Sequence, residues 1–404
     1  MTSLWRNTPL FAISQGLMVS AISLIVTCSA LVGQALATDK SLATLPIAVM
    51  FISTMLVSIP ASFLMAKIGR KRGFMLATLL GFSGGALSTY AIIHQNFWFF
   101  VVGIGLIGMF NGFGNYFRFA AADSVEKNLK SQAISFVLVG GLAAAFIGPN
   151  LANLAKDVIA NAEFAGSYAA TMVLYILLFL TLSFLKLPDK SEEALEHLAP
   201  ARPLKEIISQ PIFIVAVICA MLGYGVMSLV MTATPLAMHH HAHAFADTSF
   251  VIQWHLLGMF APSFFTGSLI RALGVKTILW LGVLMGFACV IINLAGHSLW
   301  HYWAALVLLG ISWNFLFVGG TTLLTEVYRP NERAKTQAVN DFLIFSMVAI
   351  ASLSAGYLQH QFGWRMVNIG VLPVLAVIML ALLWLGFTQR KPETIRHENS
   401  LSNS

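Results

Sequence analysis

The sequence predicts an all-α integral membrane protein with twelve transmembrane helices in two pseudo-symmetric six-helix bundles. Three observations predict this fold class. Hydrophobic residues make up 58% of the 404 positions, and the mean hydropathy of +0.81 is far above what a soluble core requires. Apolar runs of about 20 residues, the length that crosses a bilayer, recur along the whole chain. The basic residues between these runs fall almost entirely on alternate loops.

Breaks at charged, histidine-rich and Pro/Asn positions divide the chain into candidate spans. Each candidate is long enough, at about 1.5 Å per helical residue, to cross about 30 Å of hydrocarbon. Strand-type spans would be shorter and would alternate polar with apolar residues. The predicted helices cover residues 9–36, 42–66, 73–93, 97–118, 132–155, 165–186, 209–238, 248–270, 276–296, 299–324, 335–358 and 366–388.

The 23 lysine and arginine residues orient this arrangement. With the N-terminus in the cytoplasm, 20 of them fall on the inner side and only Lys40, Lys156 and Arg365 fall outside. Cytoplasmic loops are the ones enriched in basic residues. The formal charge of +7 is therefore explained by topology, and no nucleic-acid partner is expected. We predict a multi-pass protein of the cytoplasmic (inner) membrane, surrounded by the lipid bilayer, with both termini in the cytoplasm.

One long polar stretch, KLPDKSEEALEHLAPARPLKE at 186–206, separates two halves of similar length. It contains three prolines and no run that could span a membrane, and a short amphipathic helix is expected near Glu192–Leu198. The predicted divisions are an N-terminal six-helix bundle at 1–187, a cytoplasmic linker at 188–206, a C-terminal six-helix bundle at 207–390 and a cytoplasmic tail at 391–404.

The two halves repeat at a constant offset of 205 residues. The segment MAKIGRKRGFML partly returns as RALGVKTILW, so that Gly69 is matched by Gly274 and Lys71 by Lys276. In a second pair of loops, KSQA is matched by KTQA at the same offset. Two loops that share one offset indicate a duplication. Parallel halves, related by an axis along the membrane normal, are a recurring plan among transporters.

These features together resemble the major facilitator superfamily, and the resemblance covers essentially the whole chain. The loop of that family usually reads G-x-x-x-D-R-x-G-R-K. Here SFLMAKIGRK keeps Gly69, Arg70 and Lys71, whereas Ser62 replaces the first glycine and Ala66 replaces the aspartate. The resemblance implies a secondary active transporter, without a cofactor and as a monomer, whose halves rock about a central site.

Cations beside the glycine turns predict a gate on the cytoplasmic side. Glycine permits a tight turn, and the cations can meet helix C-termini or carboxylates. Expected partners are Asp123 and Glu126 near Arg118, and Glu326 and Asp341 near Arg271. Such pairs would latch the halves in one conformation; the alternative is that the charges only set topology. The candidate gate residues are Gly69, Arg70, Lys71, Arg118, Asp123, Arg271, Gly274 and Lys276.

Ionisable groups at membrane depth are costly unless they line water, a ligand or a partner. Asp341, beside Asn340 near the start of the eleventh helix, is the deepest acidic residue of the arrangement. It is the first candidate for proton coupling, and Glu326 is the second. A structural ion pair of Asp341 with Arg271 or Lys335 is the alternative. Protons are the coupling ion we expect.

Polar and aromatic residues near mid-depth in both halves predict a site for a small-molecule substrate. Tryptophan offers a flat face to an aromatic or cationic solute, and histidine titrates near neutral pH. Asparagine equally serves as a hydrogen bond between helices, and a buried interhelical histidine is the alternative for His255. The candidates are Gln15, Asn111, Asn115, Tyr224, Gln253, Trp254, His255, Trp313 and Asn314.

The fifth helix, with the sequence VGGLAAAFIGPNLANL, predicts close approach to a neighbouring helix because its residues are small. It also partly resembles the G-x-x-x-G-P-x-x-G-G motif of proton-linked antiporters, at Gly148 and Pro149. That match favours export only slightly.

No metal site or disulfide is predicted. HHHAHA at 239–244 lies in an outer loop and is interpreted as a solvated, pH-sensitive segment, because a flexible loop is a poor metal site. Cys28, Cys219 and Cys289 lie in apolar segments without the spacing of a zinc or disulfide framework.

The absence of a P-loop, HExxH or nucleophile-elbow motif argues against an enzyme and against ATP-driven transport. The sequence predicts a secondary active transporter of a small organic solute that is coupled to protons. Export of drug-like or metabolic solutes and import of an aromatic vitamin or iron chelate both remain open. The interior, rich in Trp and Phe, favours a neutral or anionic solute. Rival functions are a membrane-embedded solute sensor without net transport and a lipid-acting membrane enzyme.

Overall fold

The computed structural model describes residues 7–125, 130–187, 202–329 and 332–388, and this part of the chain is helical without a strand. The helices are α1 (Asn7–Leu36), α2 (Leu45–Ile68), α3 (Arg70–Ile93), α4 (Phe97–Gly114), α5 (Phe117–Asp123), α6 (Lys130–Ala155), α7 (Ala165–Ser183), α8 (Leu204–Ile208), α9 (Pro211–His240), α10 (Phe245–Phe260), α11 (Ser263–Leu273), α12 (Val275–Ala295), α13 (Leu299–Leu324) and α14 (Arg333–Thr388). Most of the predicted linker, including Glu192–Leu198, and the whole tail lie outside the described residues.

Each of the twelve predicted helices has a counterpart in the described part of the chain. Nine helices there are long and apolar enough to span a membrane, and the pair α10–α11, bent by 42°, makes a tenth. Helix α14 contains two of the predicted helices, because Gly363, with φ of 73°, breaks it. Helix α6 contributes a shorter apolar stretch, Val139–Ala155. The predicted all-α membrane fold is therefore confirmed.

The predicted repeat extends to the backbone of the two glycine turns. Gly69 joins α2 to α3 with φ 88° and ψ 146°, and Gly274 joins α11 to α12 with φ 82° and ψ 149°. A residue with a Cβ atom is strained at such φ values, whereas glycine adopts them at no steric cost. The chain therefore reverses direction through the same sharp turn after the second span of each half.

The ends of the helices define two faces of the bundle. At one face, α1 begins and α7 ends, and Asn7 Nδ2 donates a hydrogen bond to the carbonyl of Lys186 at 3.0 Å. We call this end the basic face. At the other, α9 ends and α13 begins, and His243 Nε2 lies 2.7 Å from the carbonyl oxygen of His297. We call this end the histidine face.

The two halves, α1–α7 and α9–α14, meet near the histidine face. Thr44 Oγ1 donates to the carbonyl of Leu353 at 3.2 Å and accepts from the amide of Gly356 at 3.0 Å. Towards the basic face, Arg118 and Asp341 belong to opposite halves, and both side chains lie at the surface of the bundle. Hydrogen bonds therefore hold the two halves together near the histidine face.

Within the first half, α1 and α6 pack in backbone contact. A Cβ atom on Gly140 would lie 2.2 Å from the carbonyl oxygen of Ala12. One on Gly148 would lie 1.7 Å from Ser23 Oγ and 2.6 Å from the carbonyl oxygen of Ser20. The small residues of the fifth predicted helix therefore serve close packing, as expected from their composition.

Gly148→Val should lower the stability of the folded bundle by about 1–3 kcal/mol or more, because overpacking forces α1 and α6 apart. The measurement is the thermal unfolding midpoint of the purified protein in detergent. Gly370→Val is the matched control, since nothing lies within 4 Å of a Cβ at that helical glycine. Equal midpoints for the two variants would contradict the proposed backbone contact.

Candidate functional site

Four aromatic side chains of the second half form a cluster at mid-depth of the bundle. Trp313 and Phe317 of α13 stack, with ring centroids 5.0 Å apart and planes 8° apart. Tyr224 of α9 meets Trp313 edge-on at 5.3 Å, and Phe260 of α10 does so at 6.3 Å. Trp313 is buried and the other three are half-buried. We call these four residues the aromatic cluster.

The aromatic cluster faces the first half of the chain. A Cβ atom on Gly141 of α6 would lie 3.8 Å from the ring of Phe260. Phe51 of α2 packs against the same buried group of the second half, Ala220, Ile344 and Val348, as Tyr224 and Phe317 do. The indole N–H of Trp313 is buried and has no hydrogen-bond partner among the described residues. Such a donor costs about 1–3 kcal/mol when unpaired, so an acceptor on a bound solute would be favoured there. The arrangement suits a flat, partly apolar ligand.

Gln253 and Asn150 lie between the aromatic cluster and the histidine face. Gln253 and Phe260 share one face of α10, since they are two helical turns apart. Asn150 Nδ2 of α6 donates to Gln253 Oε1 at 2.6 Å and to the carbonyl of Phe146 at 2.8 Å. This hydrogen bond joins the two halves on the histidine-face side of the aromatic cluster. Sequence reasoning selected Gln253 but not Asn150, whose only signal was its place after Pro149.

Asp341 lies beyond the aromatic cluster towards the basic face. Ile344 and Val348 share its face of α14, and together with Ala220 they form the buried group against which Tyr224 packs. At about 1.5 Å per residue, Asp341 lies about 10 Å from Val348 along the helix. Asn340 Nδ2 donates to Asp341 Oδ1 at 3.1 Å. The carboxylate therefore lies between the aromatic cluster and the basic face.

The cation that acts on Asp341 in the described part of the chain belongs to the first half. Arg118 of the first half interacts electrostatically with it and also lies 4.8 Å from the ring of Phe119. Arg271 donates to Ser268 Oγ at 2.9 Å, and Lys335 donates to a carbonyl at the end of the linker. The interaction thus joins opposite halves, whereas the sequence pointed to cations of the second half.

The remaining gate and coupling candidates lie at the basic face. Lys71 Nζ donates to the carbonyls of Ser183 at 2.6 Å and Leu185 at 2.8 Å. A cation therefore meets the C-terminal end of α7, the arrangement that the helix dipole favours. Glu326 lies exposed in the turn after α13. The side chain of Asp123 lies outside the described part of the chain, as does Glu126.

Asn314 holds the bend between α10 and α11. It is fully buried, its Nδ2 donates to the carbonyl of Met259 and to Ser263 Oγ at 2.7 Å each, and its Oδ1 accepts from Thr266 Oγ1 at 2.7 Å. A broken helix frees backbone groups that must be satisfied inside the protein. The structure therefore places Asn314 in the helix joint and not in the aromatic cluster.

The successive residues Gln253, Trp254 and His255 point in three directions, because an α-helix turns by about 100° per residue. His255 is buried against α13, with Nδ1 2.8 Å from the carbonyl oxygen of Leu306. Trp254 is 37% exposed and meets Trp303 edge-on at 5.9 Å. Of these three residues, Gln253 is the one with a described hydrogen bond to the first half.

Three candidates belong to the first half. Gln15 is half-buried on α1, beside the glycine that packs on α6. Asn111 is buried on α4, and its Oδ1 has no partner in the described part of the chain. Asn115 is half-buried at the end of α4, next to Tyr116, whose hydroxyl donates to the carbonyl of Ser58 at 3.0 Å. The described contacts do not join these three to the aromatic cluster.

A buried ion pair anchors the end of the linker. Glu332 is fully buried and accepts hydrogen bonds from the backbone N–H and guanidinium of Arg202 at 2.6–2.9 Å. It also accepts from the amide of Arg329 at 2.9 Å. These charge-assisted bonds hold the pKa of Glu332 well below its ordinary value and raise the pKa of Arg202. Sequence reasoning missed this pair, which ties the linker to the second half.

The histidine-rich segment is more ordered than the sequence suggested. Helix α9 extends to His240, so only the last part of HHHAHA forms a loop. His241 stacks on His297 at 4.1 Å, and burial together with that neighbour lowers the pKa of His241. Among the described residues, no three His, Cys, Asp or Glu side chains are placed to hold a metal ion.

Comparisons with known proteins agree with this architecture. The family model described as Major Facilitator Superfamily matches residues 10–246 and again 216–402. "Riboflavin transporter RfnT" of Brucella anthropi is 39% identical over 95% of this chain and 96% of its own length. "Uncharacterized MFS-type transporter YddS" of Bacillus subtilis is 25% identical over 89% of this chain and 86% of its own length.

A solved structure has the same fold. It is the crystal structure of an auto-inhibited POT family peptide transporter, which superposes with a TM-score of 0.67 at 12% identity. The match covers 96% of this chain and 98% of that one. At that identity the likeness concerns the fold alone, whereas the family model covers nearly every residue. The chain belongs to the major facilitator superfamily of membrane transporters.

Proposed function

We propose that this protein imports riboflavin, or a solute with the same neutral, flat heteroaromatic ring, across the cytoplasmic membrane. The observation that carries the proposal is the aromatic cluster between the halves. Its stacked Trp313 and Phe317 offer a face to a planar ring, and the free indole N–H suits a ring carbonyl. The 39% identity to a protein named as a riboflavin transporter supports the same solute.

The basic face is the cytoplasmic face in this proposal, because cytoplasmic loops carry the excess of Lys and Arg. Both termini then lie in the cytoplasm, and the two halves are held together on the outer side. To admit solute from outside, the halves must part at the Asn150–Gln253 and Thr44–Gly356 hydrogen bonds. The protein works as a monomer, since one chain contains both halves of the site.

Proton coupling uses Asp341 and Arg118 in this proposal. When ionised, Asp341 attracts Arg118 across the gap and favours approach of the halves at the basic face. A proton taken up with solute from outside neutralises Asp341 and removes that attraction, so the basic face opens. Solvent then reaches the carboxyl group from the cytoplasm and accepts the proton.

The test is uptake of radiolabelled riboflavin into proteoliposomes with the external medium more acidic than the lumen. We expect saturable accumulation above that of protein-free liposomes and a decrease when the pH gradient is collapsed. Equal uptake with and without protein would contradict the proposal. Accumulation only when the lumen is the more acidic side would indicate an exporter, and binding without flux would indicate a sensor.

A further inference from the structure

A cavity of about 410 Å³ lies between the halves at the histidine face. This volume lies in the range of about 300–1,000 Å³ that is typical of sites for small molecules. Phe245 of α10 lines it, about 22 Å along the helix from Phe260 of the aromatic cluster. Because the Asn150–Gln253 hydrogen bond lies between the two, the cavity is separate from the central site.

Both halves contribute aromatic and polar groups to this cavity. Phe164 of the first half meets Phe245 of the second edge-on, with centroids 4.8 Å apart. Lys156 Nζ lies 5.9 Å from the centre of the Phe245 ring. The polar residues that line the cavity are Gln34, Gln95, Lys156, Glu163, His239, His243 and Thr248.

Two of the lining residues have strained backbones. Phe164 has φ of 68° and Gln95 has φ of 54°, in the left-handed region that side chains larger than glycine rarely adopt. Phe164 is nevertheless buried at 7% exposure, held against Phe245 and hydrogen-bonded through its amide to the carbonyl of Lys156 at 2.8 Å. Strain of this kind persists only where the surroundings fix it and is concentrated at functional sites.

The charges in the cavity favour a neutral ligand. Lys156 Nζ lies 3.5 Å from Asp157 and 3.8 Å from Glu163, so its charge is compensated. An anion would be repelled by the two carboxylates, and a cation would have to compete with Lys156 for them. The phenyl rings of Phe164 and Phe245 provide the apolar surface, whereas the side-chain amides of Gln34 and Gln95 can both donate and accept hydrogen bonds.

We propose that this cavity is a second binding site, which holds a neutral heteroaromatic solute at the outer face before it reaches the aromatic cluster. The proposal rests on the proposed function for the identity of the solute. Phe164 and Phe245 contact the ring, and the amides of Gln34 and Gln95 bind its polar groups. Because the site includes residues of both halves, its occupant is released towards the centre when the halves part at the histidine face.

The experiment is titration of the purified full-length protein with riboflavin, followed by calorimetry, to count bound equivalents. Wild type should bind two, and Phe245→Ala should retain one because the aromatic contact is lost. Phe245→Leu, which keeps an apolar side chain, should weaken the same equivalent by about tenfold. Phe250→Ala, on the same helix at a position 36% exposed, is the matched control and should bind two.

A single equivalent in wild type that Phe245→Ala leaves intact would overturn the second site while leaving the proposed function in place. No binding to wild type would overturn both. The unfolding midpoint of each variant without riboflavin separates a lost site from a lost fold, and Phe245→Leu decides the outcome if Phe245→Ala is unstable. The second site also requires that Phe245→Ala raise the external KM for uptake, and an unchanged KM would overturn its role in entry.

Discussion

Asp341→Asn is expected to abolish riboflavin uptake driven by a pH gradient while leaving riboflavin counterflow close to the wild-type rate. Asparagine has the shape of a protonated aspartate but cannot release a proton, so the variant is held in one of the two charge states. Solute exchange needs no net proton movement and should continue. The electrostatic interaction with Arg118 across the gap is the structural reason for choosing this carboxylate.

The measurement compares both activities in the same proteoliposome preparation. Glu326→Gln is the matched control, because Glu326 is a carboxylate that lies exposed in the turn after α13. It should retain both uptake and counterflow. Gradient-driven uptake that persists unchanged in Asp341→Asn would remove this residue from the coupling mechanism, and loss of both activities would indicate a structural role.

Trp313→Ala is expected to weaken riboflavin binding at the central site by between about fivefold and 150-fold. Stacking of a flat heteroaromatic ring on an aromatic side chain is worth about 1–3 kcal/mol, which corresponds to that range. Trp313→Phe keeps a ring but lacks the indole N–H and should give an intermediate loss. The measurement is the Kd for the central equivalent, obtained in parallel with the thermal unfolding midpoint.

Trp300→Ala is the control for this substitution. Trp300 is 66% exposed at the histidine face, where it meets Trp303 edge-on, and its removal should leave Kd unchanged. Removing a buried Trp side chain costs about 3–5 kcal/mol of folding stability. Trp313→Phe removes fewer atoms and therefore still tests binding if Trp313→Ala does not fold. Wild-type affinity in both Trp313 variants would show that the aromatic cluster does not bind the solute.

Several features of the molecule follow from local sequence. The apolar runs determine the twelve helices, and alternate basic loops predict which ends share a face, because hydropathy and charge act over short stretches. The matched glycines predict the paired turns, whose φ values of 88° and 82° only glycine adopts easily. Lys71 at the end of α7 likewise agrees with the expectation that loop cations meet helix C-termini.

The direction in which each polar side chain points was decided only by the tertiary structure. Gln253 faces the first half, Trp254 the outside and His255 another helix, although they are consecutive. In a membrane helix the lipid-facing and protein-facing sides are both apolar, so the sequence carries little amphipathic signal for the rotation of the helix. Asn314, for example, was predicted to bind the substrate, and its side-chain hydrogen bonds in the structure lie at the bend between α10 and α11.

Contacts between charged residues that are distant along the chain could also not be predicted from the sequence. Arg202 forms an ion pair with Glu332, and Arg118 acts electrostatically on Asp341, although the members of each pair lie far apart in the chain. The sequence determined that this protein is a helical membrane transporter, and it predicts that the basic loops share one face. Only the packing of the halves decided which charges meet and which rings form a site, because these depend on how the helices cross and rotate.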